Sequence, residues 1–386
     1  MSGSPLTAIL LERIEAEGPL TIAAYMEAAL YHPTDGYYAA ASQRSGRGGD
    51  FYTSVDAGPL FGECLAELTV RAWRALRRAG GGEAFDLVEV GAGNGRLMRD
   101  LLDAVQRRAP EGYAAVRVTL VERSHVARAA QAGTLGPHVA KLQGSLSELP
   151  LAFTGLLIAN ELLDAVPVHR VVAVPGGLRE VYVGAADGQL VLEPGPLSTP
   201  DLRAYFDRLG LSLPVGTVAD ISLAAVAWAR QAARALQRGY LALIDYGHDA
   251  PRLFGAGDAS GTLRAYRRHL VDPSPDSRSR PAWLVEPGTS DLTAHVDFTT
   301  IANTLGDEGL HVLPRLDQTQ WLLRLGLADL LAAPSPDERT RIARLLAART
   351  LVVPGGLGST HSALVAARGT ADPALELGLA RAAFPA

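Results

Sequence analysis

The sequence predicts an α/β fold: an open, mostly parallel sheet with helices on both faces, led by a helical N-terminal extension and interrupted by a small antiparallel insertion. Three observations predict it. Strand-like and helix-like stretches alternate from residue 85 onward. The apolar run Phe85-Asp86-Leu87-Val88-Glu89-Val90 enters a turn carrying Gly91, Gly93 and Gly95. A second strand, Arg117-Val118-Thr119-Leu120-Val121, ends at an acid, Glu122. Alternation of this kind means parallel strands joined by crossover helices. Glycines at the first turn let backbone approach a ligand closely, and a helix beginning near Asn94 aims free N–H groups and its positive dipole end at that ligand.

Residues 1 to 80 read as helical, with amphipathic stretches near 5–17, 20–30 and 59–79. Between them lies a glycine-rich loop, 42–54, whose flanking aromatics make it a cover over cofactor or substrate. The α/β core then runs strand 85–90, helix 94–108, strand 116–121, helix 124–132, a short strand near 138–142 and strand 154–159. Val168–Val174, Leu178–Val183 and Leu190–Leu192 are short strands separated by Gly176-Gly177 and Asp187-Gly188, which marks an antiparallel insertion. A helix at 222–238 leads to strand Tyr240-Leu241-Ala242-Leu243-Ile244, ending at Asp245. Residues 258–296, rich in Arg, Pro and Ser, form an excursion. Helices near 297–306, 317–333 and 335–349 follow, with a hairpin of strands near 310–315 and 361–368. The expected division is a helical region, 1–80, and a catalytic domain, 81–386, with insertions at 168–221 and 250–296.

Composition excludes several classes. At 386 residues and 48% hydrophobic content the chain is globular rather than disordered. No apolar run approaches a membrane span, and Thr7-Ala8-Ile9-Leu10-Leu11 is too short for a signal peptide, so a soluble, cytoplasmic protein is expected. Cys64 is the only cysteine, and its helical context predicts a buried thiol rather than a nucleophile. The 36 basic residues are 35 arginines and the single Lys141, which lies in no phosphate-loop or Schiff-base context. A net charge of −5 argues against general affinity for nucleic acid.

The spacing of the glycine turn narrows the ligand. Dinucleotide sites favour G-x-G-x-x-G, with the third glycine inside the helix. Here the pattern is G-x-G-x-G with Glu89 two places before it, a form that resembles the first motif of class I S-adenosyl-L-methionine (SAM) methyltransferases. Glu122 suits ribose hydroxyls, as acids do at the equivalent position of NAD sites. The alternative is a tight strand-to-helix turn with Glu122 a solvated strand end.

Ligands of open α/β sheets gather at the carboxyl ends of the strands. Gln143-Gly144-Ser145-Leu146 follows the third strand, where Ser145 and Leu146 suit an adenine contact or an ordinary turn. After the fourth comes Asn160-Glu161-Leu162-Leu163-Asp164-Ala165-Val166-Pro167. On a helical turn Glu161 and Asp164, at i and i+3, would share a face and clamp a planar guanidinium acceptor. The other reading of Glu161 is an acid at a helix N-terminus. Candidates for removing the acceptor's proton are Glu161, Asp164, Asp245 and His248. Asp291, His295 and Asp297 imitate metal-ligand spacing, but no further histidine stands in register, so no metal is expected and Asp297 is read as a helix cap.

Taken together, long collinear segments resemble the MidA family of class I SAM-dependent methyltransferases. They are Gly36-Tyr37-Tyr38, Gly49-Asp50-Phe51 with Thr53-Ser54, Phe61-Gly62-Glu63, the glycine turn, Ala159–Val168, Ile244-Asp245-Tyr246-Gly247 and Asp291–Phe298. The resemblance implies a Rossmann-like sheet of seven strands and a SAM cofactor, with contacts from Glu89, Gly91, Gly93, Gly95, Glu122, Ser145, Leu146, Asn160, Asp50 and Thr53. It also implies a protein substrate, since the family's mitochondrial member methylates an arginine of a respiratory complex I subunit. A homodimer is compatible with the sequence. Val55, Ala92, Asn94 and Ala219-Asp220-Ile221-Ser222-Leu223 depart from the family pattern, and the stretch around 273–284 is longer than the family's. The lead expectation is therefore methyl transfer to a protein arginine. The alternatives are a small-molecule oxygen or nitrogen acceptor, a non-enzymatic SAM-binding assembly factor, and NAD-dependent oxidoreduction, which the glycine spacing weakens.

Overall fold

Seven strands stand in line in the main sheet of the computed structural model: His311–Val312, His361–Arg368, Leu236–His248, Phe153–Asn160, Phe85–Val90, Val116–Val121 and Leu142–Leu146. The last five are parallel, and His361–Arg368 runs antiparallel to both neighbours. Two short strands pair off this line, Leu316–Asp317 beside His361–Arg368 and Val296–Asp297 beside Gly247 and His248. From Phe85–Val90 the chain builds outward through two strands, then returns to Phe153–Asn160 on the other side. Strand order therefore reverses between these two neighbours, which is where an open sheet leaves a crevice for a ligand.

The structure describes residues 4–39, 52–255, 260–267, 270–271 and 280–380. They fall into two bodies. One comprises described residues of Met1–Tyr52, Leu163–Ala229 and Gly247–Asn303, the other those of Thr53–Leu162, Arg230–Tyr246 and Thr304–Ala386.

In the second body the central strands are buried along nearly their whole length, as parallel strands covered by helices require. Two glycines allow them to approach. A Cβ on Gly155 (φ 154°) would lie 2.0 Å from the Asp86 carbonyl oxygen, and one on Gly239 (φ 127°) 2.0 Å from that of Gly155. The Pro59–Arg78 helix buries Leu60, Phe61, Cys64, Leu65, Leu68, Ala72 and Leu76, an i, i+4 stripe. That stripe joins one apolar cluster with Leu101, Leu87, Leu156, Tyr240, Trp321 and Leu351. Burial, with the nearby Glu63 charge, pushes the Cys64 thiol up to about 12, in keeping with an inert core residue.

The first body holds the antiparallel insertion. Leu20–Thr21, Gly177–Ala186, His169–Val174 and Val218–Ile221 are adjacent, and Gln189–Gly195 pairs with Gly177–Ala186. Asp187 and Gly188 take φ of 49° and 70°, the conformation that a tight hairpin turn demands. Helices Pro5–Glu17 and Ile22–Tyr31 pack Leu6, Leu10, Tyr25, Met26 and Leu30 into a cluster with Val183, Leu190, Leu284 and Leu292.

Several boundaries differ from the sequence reading. The helix expected at 94–108 begins at Arg96, because Gly95 caps it in the left-handed conformation with φ 87°. The short strand expected near 138–142 begins only at Leu142, because Gly136–Lys141 forms a 3-10 turn through Pro137, and the strand is Leu142–Leu146. The 240–244 strand extends to Leu236–His248 because neighbours pair on both edges. One helix expected at 317–333 is two, broken where Gly326 adopts φ 85°. The 258–296 excursion contains a small sheet of Arg264–Arg267, Leu270–Val271 and Asp291–Thr293.

Candidate functional site

Gly91, Gly93 and Gly95 all lie in the left-handed region, with φ of 70°, 50° and 87°. Gly91 and Ala92 donate their N–H groups to the Val121 carbonyl at 2.9 and 3.1 Å, tying the turn to the adjacent strand end. A Cβ on Gly91 would press on Leu162 Cδ1 at 3.1 Å, whereas one on Gly93 would meet nothing within 4 Å among the described residues.

Glu122 is bound into this turn. Its Oε2 accepts the Gly93 N–H at 2.9 Å and its Oε1 the Ser124 N–H at 2.8 Å, while its own N–H donates to the Leu146 carbonyl at 2.8 Å. Each carboxylate oxygen keeps acceptor capacity for a hydroxyl. Ser145 and Leu146 are exposed and belong to the third strand rather than following it. The Ser145 hydroxyl donates to Gln131 Oε1 at 2.5 Å, and Gln131 Nε2 donates to the Gly93 carbonyl at 2.8 Å. Gln131 was not read from the sequence. Its signal was there: Ala127, Gln131 and Leu135 are the buried stripe of the His125–Leu135 helix, and a glutamine on such a stripe needs polar partners.

Glu89 is buried at the end of the glycine-turn strand. Burial, reinforced by the Glu122 charge, pushes its carboxyl up to about 8 against the pull of the Met98 N–H. Among the described residues its Oε2 has no hydrogen-bond partner, and neither does the buried Oδ1 of Asn160 at the end of the adjacent strand. These two acceptors stand on either side of the point where strand order reverses.

The helical turn expected at Glu161–Asp164 does not form. Glu161 has φ 50°, a left-handed conformation that breaks any helical continuation, so the i, i+3 face reading is corrected. Its N–H donates to the Ile244 carbonyl at 2.8 Å. Its Oε1 accepts the Ser54 N–H at 3.0 Å and Asn160 Nδ2 at 3.2 Å, and its Oε2 lies 3.9 Å from His361 Nε2. Asp245, 1% exposed, accepts the Leu162 N–H on Oδ2 at 3.1 Å and the Tyr246 N–H on Oδ1 at 2.8 Å. Both acids thus stand at the carboxyl ends of neighbouring strands in the second body.

Thr53, also in that body, bonds Asp56 Oδ2 through its N–H and its hydroxyl, both at 3.0 Å. Ser54 donates its hydroxyl to Gln318 Oε1 at 3.1 Å. Asp50 and the rest of 42–51 lie outside the described residues. Asp164 and His248 belong to the first body. There the Asp164 carbonyl accepts the Ala294 N–H at 2.9 Å, and the His248 ring meets His295 edge-on with centroids 5.6 Å apart. Asp297 caps the Phe298–Asp307 helix as read, accepting the N–H groups of Thr299 and Thr300 at 3.0 and 3.2 Å. Ser54, Gln318 and His361 were missed.

A family model described as "Putative S-adenosyl-L-methionine-dependent methyltransferase" matches residues 64–315. "Protein arginine methyltransferase NDUFAF7, mitochondrial" from Mus musculus is 30% identical over 351 residues, covering 84% of this chain and 74% of that protein. The Danio rerio protein of the same name is 29% identical over 365 residues, covering 86% and 80%. A crystal structure of a Burkholderia thailandensis protein bound to S-adenosyl-homocysteine superposes with a TM-score of 0.84 at 31% identity, covering 95% of this chain and 92% of the other. The expectation of a cytoplasmic protein is overturned here, because the mouse, zebrafish and human relatives are all named as mitochondrial.

The site suits SAM chemically. Its ammonium would suit Glu89 Oε2 and Asn160 Oδ1, which have no donor among the described residues, and its ribose hydroxyls would suit the remaining capacity of Glu122. Among the described residues no helix is long and apolar enough to cross a membrane. By its matched family model and by relatives that match most of its length, the chain belongs to the MidA-like family of SAM-dependent methyltransferases.

Proposed function

We propose that this methyltransferase modifies a protein side chain and that the side chain is an arginine guanidinium. The observation that carries the reading is identity of about 30%, spread over most of the chain, with relatives named protein arginine methyltransferases. A second support is Glu161, a carboxylate anchored by the Ser54 N–H at the carboxyl end of the sheet. A carboxylate matches the planar guanidinium fork and aims one nitrogen at the methyl. SAM supplies that methyl on a sulfonium; the chain's work is positioning, which lowers the barrier of an in-line displacement.

In this proposal Glu89, Gly91, Gly93, Gly95, Glu122, Ser145, Leu146, Asn160 and Thr53 hold the cofactor; Asp50 lies outside the described residues. Glu161 receives the acceptor, and Asp245 fixes the strand end beside it. The acceptor is proposed to be a subunit of a respiratory complex, as the family resemblance implies.

The test incubates the purified protein and methyl-tritiated SAM with an extract of cells lacking this chain, then separates proteins from small molecules and hydrolyses the protein in acid. Label recovered as methylarginine supports the proposal. Label in the small-molecule fraction shifts the reading to a small oxygen or nitrogen acceptor. No label, with S-adenosylhomocysteine still bound, leaves a binding-only assembly factor.

A further inference from the structure

We infer that His361 is the group to which Glu161 passes the proton that the methyl acceptor loses, so that the two side chains form one proton relay. The inference rests on the proposed transfer to an N–H acceptor. It begins from a hydrogen-bond count. His361 is 5% exposed and opens the His361–Arg368 strand, where it pairs with Tyr246. Its Nδ1 lies 3.0 Å from Thr360 Oγ1. The Thr360 hydroxyl donates its one hydrogen to the Gly356 carbonyl at 3.0 Å, so it accepts from His361, and the ring proton sits on Nδ1. Nε2 then carries the lone pair. It is buried, has no hydrogen-bond partner among the described residues and lies 3.9 Å from Glu161 Oε2.

Glu161 is built to face it. The Ser54 N–H and Asn160 Nδ2 occupy Oε1, which leaves Oε2 toward the ring. The residue is held in a strained φ of 50° by its N–H bond to Ile244. A non-glycine residue in that region costs on the order of 1–3 kcal/mol and marks sites where geometry matters. Two acceptors facing each other without a hydrogen are repulsive, and one proton between them converts repulsion into an ion pair.

Neighbouring polar groups have partners of their own. Asp245 accepts two backbone N–H groups, Asp317 caps the Gln318–Arg324 helix through the Gln320 N–H, and Arg315 donates to Ser362 Oγ at 2.7 Å. The Tyr246 ring lies against His361 with centroids 5.5 Å apart.

The chemistry balances. The acceptor nitrogen forms a bond to the methyl carbon while the carbon–sulfur bond breaks and its electron pair returns to sulfur. Sulfonium and guanidinium together carry two positive charges; methylguanidinium and neutral S-adenosylhomocysteine carry one. The remaining charge leaves as a proton, first to the Glu161 carboxylate and then to Nε2 of His361, giving an imidazolium beside a restored carboxylate. The 3.9 Å gap closes by a side-chain adjustment of the kind that catalytic pairs make when substrate arrives. Because His361 acts through Glu161, it is a positioning residue.

The test compares wild type with His361→Gln and His361→Asn in the tritium-transfer assay across pH, with S-adenosylhomocysteine affinity measured by calorimetry. Expected are an affinity within about twofold of wild type, an unchanged KM for SAM, a rate lower by roughly 10²-fold and a pH–rate profile that differs from wild type. A wild-type rate and pH profile in the variants overturns the relay, as does loss of cofactor affinity in step with rate, which would make His361 structural. Ring nitrogen spectra of the wild-type protein decide independently of any acceptor: the Nδ1–H tautomer is expected, and Nε2–H overturns the relay. If wild type labels no acceptor, the arginine reading fails and the ring spectra alone judge the relay.

Discussion

The backbone N–H of Gly93 donates to Glu122 Oε2 at 2.9 Å. The glycine turn and the acid at the next strand end are therefore one unit, although 29 residues separate them. Ser124 donates to the other oxygen, so the carboxylate shapes the turn before any ribose arrives. Glu122→Ala strands two N–H groups at once. A loss of stability of about 1–3 kcal/mol is expected by thermal denaturation. S-adenosylhomocysteine affinity should fall at least about tenfold, which corresponds to about 1.4 kcal/mol of lost contact.

Gly93 and Gly95 differ in what a side chain would meet. At Gly93 a Cβ enters open space at φ 50°, while at Gly95 it comes within 3.3 Å of Leu120 Cδ1 at φ 87°. Gly93→Val should fold, with a backbone cost of about 1–2 kcal/mol, and lose cofactor binding because the new side chain occupies the ligand's space. Gly95→Val should lose stability as well. Melting curves and calorimetry on both variants separate the two effects.

Glu89 gives a pH signature. Burial, with Glu122 beside it, raises its folded pKa to about 8, above the unfolded value of about 4.3. The folded state then binds more protons than the unfolded state between those values, so this contribution is fully present below the unfolded pKa and is lost as pH rises through about 8. Glu89→Gln should flatten that decline and make the protein free of cofactor more stable than wild type at pH above 8, by an amount on the order of a few kcal/mol. Denaturant titrations of both proteins across pH check it. A cationic cofactor end should expel the proton, so calorimetry near neutral pH in buffers of different ionisation enthalpy should show proton release that the variant lacks.

Local chemistry was legible where it repeats locally. The 85–90 and 116–121 strands, the glycine turn, the Gly176-Gly177 and Asp187-Gly188 turns and the Asp297 cap each follow from a short pattern, and each forms. What escaped depends on distant partners. Ser54, Glu161 and His361 meet across 107 and 200 residues of chain, and a pairing of that range leaves no periodic trace. Glu161 was read as helical from its i, i+3 partner Asp164, but the Ile244 carbonyl, fixed by the neighbouring strand, captures its N–H and turns it left-handed. Sheet pairing likewise lengthened the Leu236–His248 strand beyond its apolar centre.

The most direct measurement is methyl transfer by Glu161→Gln against wild type, with S-adenosylhomocysteine affinity determined in parallel. Gln keeps the shape and an acceptor for the Ser54 N–H but removes the charge proposed to receive the acceptor and its proton. The expected result is cofactor affinity within about twofold of wild type and transfer reduced by roughly 10²-fold or more. Full transfer activity in Glu161→Gln would contradict the role given to this carboxylate.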